Sequence, residues 1–285
     1  MDGSGPVPMT SETFILGLIL LVLSPAAAFA QNATAPLDPV ALVRRATQHR
    51  VEADKTHRPQ RYLLRKIDGQ RDTTKDIVET SDGDVARLVA INGQPLDRQA
   101  NQAELDRLNN LAGHPEIQHH RQQREQKDVE RVNRLMALLP EALLYRFEGM
   151  VETPSGSCYH LSFLPNPHFE PPDIEASIFR GMAGDVWIDQ AQERLIRLEA
   201  HIIENVDFGW GIVGKLEKGG TILLEQQNIG GSDWELATLK LNMRGKALVF
   251  KALNIQMTEQ ASHFSPAPPY MNYREAIQLL EKASD

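Results

Sequence analysis

The sequence predicts an α+β fold in which helices cover one face of a curved antiparallel sheet. The main observation is the stretch 181–260, which reads as five strand-like segments separated by turn residues. A second is the phase slip between Leu236 and Ala237 in the alternation of apolar and polar residues, because it predicts a β-bulge, and bulges curve a sheet. A third is the helical sequence upstream, whose apolar stripes suit the cover of a sheet face.

The first thirty residues have the pattern of a secretory signal peptide. An apolar run of ten residues, 14–23, is too short to span a bilayer, and Ala28-Phe29-Ala30 is an A-x-A cleavage signature. We therefore expect a signal peptide over 1–30, cleavage before Gln31 and a periplasmic or secreted protein without a stable transmembrane segment. Residues 1–13 contain no Lys or Arg, which leaves an uncleaved anchor as the alternative and leaves open whether translation starts at Met1 or Met9.

Charge and cysteine content exclude several classes of protein. The formal net charge is −8, and residues 1–30 include two acids and no base, so the predicted mature chain is acidic as well. Nucleic acid and anionic membrane surfaces require a concentrated basic patch, so neither is an expected partner. Cys158 is the sole cysteine, which rules out an internal disulfide and suits a periplasmic protein of ordinary size.

The first half of the mature chain begins with a helix and continues as a small meander. Asp38 is the expected N-cap of this helix, with Pro39 at its first position. Strands are predicted at 61–68, 75–80 and 85–91, joined by Asp-Gly turns. Helices are predicted at 97–112 and 116–139, which we treat as an insertion at about 97–139 in a single domain over 31–285. The first half of the second helix is polar all round and is expected to project into solvent.

The second half of the chain is dominated by strands. Two are predicted at 143–151 and 158–164, before a proline-rich surface loop. The meander follows at 185–189, 194–206, 221–229, 234–243 and 247–258, and a short amphipathic helix is predicted at 273–282. In its second strand, Ile196, Leu198, Ala200 and Ile202 are expected on one face, opposite charged residues.

Two motifs that suggest a cofactor or a metal are better explained otherwise. The sequence 209–214 is a literal G-x-G-x-x-G, but the next glycine pair follows so soon that no helix can begin there to hold a pyrophosphate. We interpret it as a loop between strands. His114, His119 and His120 lack the spacing of metal ligands on one helix face, so a solvated face is expected. The sequence predicts no cofactor and no metal.

Catalytic patterns are equally weak. There is no G-x-S-x-G, and Cys158 opens a strand, where an ordinary packed residue is expected rather than a reactive thiol. Asp185 and Asp189 fall on one face of a strand and could form a carboxylate pair, but acids at strand ends are usually turn formers. We predict no catalytic residues and a protein that is not an enzyme.

The sequence nevertheless resembles a known family. The similarity is carried by G-D-V-W-I-D at 184–189, E-R-L-I-R-L-E-A at 193–200, the G-x-L-x-K-G-G loop at 214–220, and W-E-L-A-T-L-K-L-N-M-R-G-K-A-L-V-F-K at 234–251. Over residues 140–260 the chain resembles the periplasmic outer-membrane lipoprotein-sorting carriers, and the first three strands do so more loosely. The resemblance implies a half-barrel: a strongly curved, unclosed antiparallel sheet whose concave face is covered by helices and takes up acyl chains.

The predicted function is therefore physical rather than chemical. We expect a non-catalytic periplasmic protein that binds or carries a lipid or a lipoprotein acyl chain in a hydrophobic groove, with a lipid or acylated protein, and a further envelope protein, as partners. The lining is predicted from the more apolar parity of the strands: Val186, Ile188, Ile196, Leu198, Ile202, Leu239, Leu241, Val249 and Leu253. The alternatives are a structural or interaction protein of the envelope with a filled core, and a hydrolase.

Overall fold

A computed structural model describes residues 37–55, 57–208, 214–247 and 251–282. The predicted signal peptide lies outside these residues. Within them, the α-helices are α1 (Pro39–Lys55), α2 (Arg98–Gly113), α3 (Pro115–Ala142) and α4 (Tyr273–Lys282), and a 3-10 helix spans Glu175–Gly181. The strands are β1 (Gln60–Asp68), β2 (Arg71–Val78), β3 (Val85–Ile91), β4 (Gln94–Pro95), β5 (Leu143–Thr153), β6 (Gly156–Pro165), β7 (Met182–Asp189), β8 (Leu195–Ile202), β9 (Val206–Phe208), β10 (Gly214–Leu216), β11 (Thr221–Gly230), β12 (Asp233–Ala247) and β13 (Lys251–Pro266).

All strands belong to one antiparallel sheet that curls without closing. Its order is β4-β3-β2-β1-β13-β12-β11-β8-β7-β6-β5, while β9 and β10 form a hairpin that joins through β10 to β12. The predicted α+β class, with a curved, unclosed sheet and helices over its concave face, is confirmed. The three upstream strands continue the same sheet because β1 pairs with β13.

Local sequence signals explain where the helices begin. Asp38 Oδ1 accepts hydrogen bonds from the backbone N–H groups of Val40 and Ala41 at 3.0 and 3.1 Å, so it caps α1 as predicted. Asp97 does the same for α2, accepting from Ala100 N at 2.7 Å. Within the described ranges, none of the helices combines the length and hydropathy that crossing a bilayer requires.

The predicted bulge lies where the phase slip places it. Glu225 pairs with Thr238 and Gln226 with Leu236, which leaves Ala237 as the extra residue of β12. An extra residue on one strand bends the pair and increases its twist. The bulge therefore contributes to the curl of the sheet at its centre.

The main core lies between α1, α3 and the β5–β8 end of the sheet. Leu42 and Val43 of α1 and Leu139 of α3 are buried against sheet residues such as Phe163 and Ile188. A second, smaller cluster joins α2 and α4 to β2 and β3. Its buried members are Val78, Val85, Leu108, Leu111, Ala267, Tyr273, Ala276, Ile277 and Leu280.

A bulge between β7 and β8 makes one face assignment wrong. Trp187 pairs with Arg197 but Ile188 pairs with Leu195, so Ile196 is the extra residue. Ile196 therefore lies on the face opposite Leu198, in a small cluster with Cys158, Trp187 and Trp234. The alternation of apolar and polar residues could not reveal this bulge, because Ile196 is apolar and follows the same two-residue period as Leu198.

The polar first half of α3 does not project freely into solvent, and that prediction is wrong. Gln118, only 1% exposed, donates through Nε2 to the carbonyl oxygens of Asp82 and Gly83 at 3.0 Å. Glu125 accepts from the backbone N–H of Asp84 at 3.0 Å. The polar side chains thus hold α3 on the turn between β2 and β3. This close packing requires glycine at position 83, because a Cβ there would lie 3.0 Å from Gln122 Cβ.

Candidate functional site

The predicted lining residues fall into two groups in the structure. Val186, Ile188, Leu198 and Ile202 are buried in the main core, with exposures of 8% or less. Leu239, Leu241 and Leu253 are half-buried. Ile196 lies on the other face, as described above, and Val249 lies outside the described residues. Their role as a ligand lining remains a prediction.

The half-buried group belongs to a larger apolar surface on the central strands. Directly opposed residues of antiparallel strands share a face, and Leu241 opposes Ile222 while Leu239 opposes Leu224. We call this surface the central apolar face. Its members are Ile222 and Leu224 of β11, Leu239 and Leu241 of β12, and Leu253 and Ile255 of β13, all of them half-buried.

The central apolar face is continuous with the main core. Leu224 opposes Leu198 and Ile222 opposes Ala200, and both Leu198 and Ala200 are buried beneath the helices. The helix-covered side of the sheet is therefore closed over β5–β8 and more open over β11–β13. The side chains on this side of both regions are apolar, but only those of β11–β13 are accessible enough for a ligand to contact them.

A cleft of about 840 Å³ opens at the start of β12. It is formed by α1, the segment before β1, the region 79–84 after β2, α3, the β7–β8 turn and the start of β12. Its chemically active side chains are His49, Arg50, His57, Glu79, Asp84, Glu125, Arg194, Trp234 and Glu235. A volume of this size suits a small ligand or the polar head of a larger one.

His57 lies between two of the carboxylates in the cleft. Its Nε2 is 2.6 Å from Glu79 Oε2 and its Nδ1 is 3.4 Å from Glu235 Oε1. Glu79 also accepts from the backbone N–H of Gln60 at 2.8 Å. These contacts hold the segment before β1 against β2 and β12 and give one wall of the cleft a fixed arrangement.

Asp84 is the most perturbed carboxyl of this wall. Burial, reinforced by the carboxylates of Glu79 and Glu125, raises the pKa of Asp84 to about 7, while Arg121 and His57 act in the opposite direction. Burial also raises the pKa of Glu125, against the hydrogen bond that it receives from the Asp84 N–H. Asp84 is therefore protonated in part of the molecules at neutral pH.

Glu235 is perturbed in the same direction. Burial raises its pKa to about 7, Glu79 adds to this effect, and His57, Arg194 and Arg50 oppose it. Two carboxyl groups of one cleft thus titrate near neutrality. A cation that entered the cleft would favour their ionised forms and release protons.

Comparison with known proteins finds similarity in structure but not in sequence. No family model matches the chain, and no curated protein matches it. Among solved structures, a domain of an outer membrane lipoprotein-sorting protein from Vibrio parahaemolyticus aligns with 84% of this chain and 99% of its own, at 10% identity and a TM-score of 0.32. A DUF1329 family protein from Desulfovibrio piger aligns with 81% of this chain and 94% of its own, at 10% identity and a TM-score of 0.28.

A third solved structure carries the name of a related group. It is a LolA superfamily protein from Nitrosomonas europaea, which aligns with 80% of this chain and 93% of its own, at 7% identity and a TM-score of 0.27. Proteins of the predicted resemblance are thus among the structures that align with the chain. At these identities and TM-scores the alignments say nothing about a ligand, which has to be inferred from the residues of this chain.

The two aspartates considered as a carboxylate pair act separately. Asp185 Oδ1 lies 2.7 Å from His160 Nε2, and the His160 ring stacks on Trp187 with centroids 4.8 Å apart. Asp189 is buried and accepts from the backbone N–H of Gln192 at 2.7 Å, as a turn former does. The His160–Asp185 pair lies on the face opposite the core and is not part of the cleft lining.

The remaining candidate motifs are the histidines, Cys158 and the glycine-rich sequence. Among the residues described, no group of three or more His, Cys, Asp or Glu side chains is placed to hold a metal ion. Cys158 is fully buried, and burial raises the pKa of its thiol, which suits a packed residue. Of the G-x-G-x-x-G, only Gly214 is described, and it begins β10.

Sequence reasoning missed the cleft. Glu79 and Asp84 follow β2, whereas Glu125 lies on α3 and Glu235 on β12. One signal was available in the sequence: the first half of α3 is polar all round, and polar side chains on a helix often bind the backbone of a turn. The fold was needed to show which turn.

Proposed function

We propose that this is a non-catalytic periplasmic protein that binds or carries a lipid or a lipoprotein acyl chain. The observation that carries the proposal is the half-exposed central apolar face beside the closed core. Soluble proteins rarely leave a contiguous apolar surface open without a use for it. The ligand would lie along β11–β13 on the helix-covered side of the sheet, where Leu239, Leu241 and Leu253 of the predicted lining are accessible.

The physical basis is burial of hydrocarbon. Each methylene group moved from water to an apolar surface contributes about 0.8 kcal/mol, so a few buried methylenes give measurable binding. Such an interaction needs shape and apolar area rather than directed hydrogen bonds. This suits a face whose side chains are aliphatic and whose neighbouring core is already filled.

Leu241 offers the sharpest test of the site. It is half-buried on the central apolar face, whereas its neighbour Asn242 is exposed and points to the other face. A charge at Leu241 would have to be desolvated by a bound chain, while the same charge at Asn242 would stay in water. We therefore expect Leu241→Glu to abolish binding of a fluorescent fatty acid and Asn242→Glu to leave it unchanged.

Organic extraction of the purified protein, followed by mass spectrometry, tests the proposal without a chosen probe. We expect a lipid to be recovered from the wild-type protein and to be lost from Leu241→Glu. A protein that yields no lipid and gains no thermal stability from fatty acids or lysophospholipids would refute the proposal. Both variants should first be shown to keep the far-UV circular dichroism of the wild type.

A second candidate is a structural or interaction protein of the cell envelope. It is favoured by the filled core around Phe163 and by exposed apolar side chains at the β5 and β6 end of the sheet, including Leu144 at 51% and Leu164 at 60% exposure. This function requires no ligand on the central strands. It therefore predicts no recovered lipid and equal behaviour of Leu241→Glu and Asn242→Glu in every binding assay.

A further inference from the structure

The cleft has a chemical character different from that of the central apolar face. Carboxylates converge on one side of it from three places in the fold: Glu79 and Asp84 beside β2, Glu125 on α3 and Glu235 on β12. α1 and the β7–β8 turn contribute Arg50 and Arg194 to the same lining. The cleft therefore combines several carboxylates with two guanidinium groups.

Two of these carboxylates are not part of an ion pair within the part of the chain that the structure describes. His57 is placed against Glu79 and Glu235, but among the described residues neither Asp84 nor Glu125 has an ion pair. The charged groups that act on the Asp84 carboxyl are Glu79, Glu125, Arg121 and His57. A desolvated carboxylate without a cation is costly, so an ammonium group in the cleft would be favoured there.

Arg50 is a group of the opposite charge in the same cleft. The Nε of Arg50 is buried and has no hydrogen-bond partner among the described residues. A guanidinium group is suited to bind a phosphate or a carboxylate, and its donors are costly to leave unsatisfied. Arg50 lines the same cleft as the carboxylates and would accommodate an anionic group of the same ligand.

The cleft and the central apolar face share strand β12. Both Glu235, in the cleft, and Leu239, on the face, belong to β12. A strand rises about 3.3 Å per residue, and the bulge at Ala237 lies between the two residues, so they are roughly 10 Å apart along the strand. A ligand with a polar head in the cleft could therefore extend its chain onto the apolar face.

We propose that the cleft binds the head of a zwitterionic amphiphile, with an ammonium group at Asp84 and Glu125 and an anionic phosphate at Arg50. This inference rests on the proposed function, since the chain of the amphiphile would occupy the central apolar face. It adds a preference that the apolar face cannot supply. Anionic lipids without an ammonium group would share the phosphate contact but not the contact with the carboxylates.

Isothermal titration calorimetry with two short-chain lipids tests the preference. Dihexanoyl phosphatidylethanolamine and dihexanoyl phosphatidylglycerol have the same chains and phosphate, and they differ in the ammonium group. We expect the ethanolamine lipid to bind about tenfold more tightly, the order expected of one charged hydrogen bond. Titration at pH 7 in two buffers of different ionisation enthalpy should show proton release with the ethanolamine lipid alone.

Variants assign the preference to the cleft. Asp84→Asn and Glu125→Gln should each reduce the preference for the ethanolamine lipid, while Arg50→Met should weaken both lipids alike. Glu130→Gln is the matched control, because Glu130 is an exposed carboxylate on the same helix as Glu125. If Asp84→Asn alters the fold, the loss of preference in Glu125→Gln alone decides the test.

The outcomes separate this inference from the proposed function. Equal affinity for the two lipids without proton release would overturn the headgroup inference and leave acyl-chain binding intact. Failure of both lipids and of fatty acids to bind would overturn the proposed function. If phosphoethanolamine without chains bound as tightly as the lipid, the ligand would be a soluble zwitterion, and the amphiphile inference would be refuted.

Discussion

Asp84→Asn should change how the stability of the protein depends on pH. The pKa of this carboxyl is raised from 3.8 to about 7 in the folded chain, chiefly by burial. Between these values the folded state binds more protons than the unfolded state, so this group makes folding less favourable as the pH rises. The contribution of Asp84 to the stability of the fold is therefore most favourable below pH 3.8, and its full destabilising effect is reached above pH 7.

The size of the effect follows from the two pKa values. One pKa unit corresponds to about 1.4 kcal/mol, so the full difference for Asp84 is about 4 kcal/mol, of which about 2 to 3 kcal/mol falls between pH 5 and pH 8. Asparagine has nearly the same shape and does not titrate. The free energy of unfolding of Asp84→Asn, relative to that of the wild type, should therefore increase by this amount from pH 5 to pH 8.

Urea denaturation followed by circular dichroism at pH 5, 6, 7 and 8 measures this difference. Asp128→Asn serves as the control, because the Asp128 side chain on α3 is 66% exposed. Its free-energy difference from the wild type should stay constant over the same range. If the free energies of unfolding of the wild type and Asp84→Asn also differed by a constant amount from pH 5 to pH 8, the pKa of Asp84 would not be raised by burial among carboxylates. The cleft would then not have the electrostatics described above.

Two further predictions concern the contacts that hold the helices on the sheet. In urea denaturation, Gln118→Leu should lower the free energy of unfolding by about 1 to 3 kcal/mol, because two carbonyl groups of the turn lose their hydrogen-bond donor. Gln123→Leu, on the exposed side of α3, is the control and should have little effect. Phe163→Ala should cost about 3 to 5 kcal/mol because Phe163 is 2% exposed in the main core, whereas Leu164→Ala at its exposed neighbour should cost far less.

The four α-helices and the longer strands could be predicted because each has a local cause, whereas the 3-10 helix and the short strands β4, β9 and β10 were not predicted. Asp38 caps α1 through its own side chain, and the strand 85–91 is bounded by two turns with glycine, so both were predictable from a few residues. The bulge at Ala237 was visible because it shifts the alternation that follows it. The bulge at Ile196 was not visible, because an apolar residue occupies the extra position and hides the shift.

Apart from Ile196, the grouping of apolar residues on one face of the central strands was also predicted, but their burial was not. Alternation places Leu198 and Leu241 on the same side of the sheet, as the structure has them. Alternation does not say that α1 and α3 cover Leu198 and leave Leu241 half-buried. That depends on where the helices lie across the sheet, which is set by contacts between residues far apart in sequence.

The cleft could not be predicted for a related reason. Sequence rules favour separating like charges and solvating them, yet the fold brings Glu79, Asp84 and Glu235 into one partly buried region. The cost of that convergence is borne by contacts elsewhere, such as those of Gln118 with the turn after β2. A chain that only needed a filled core could place apolar or neutral side chains at these positions. Their clustering at the start of β12, which also carries part of the central apolar face, is the reason that we propose a ligand with both a charged and an apolar part.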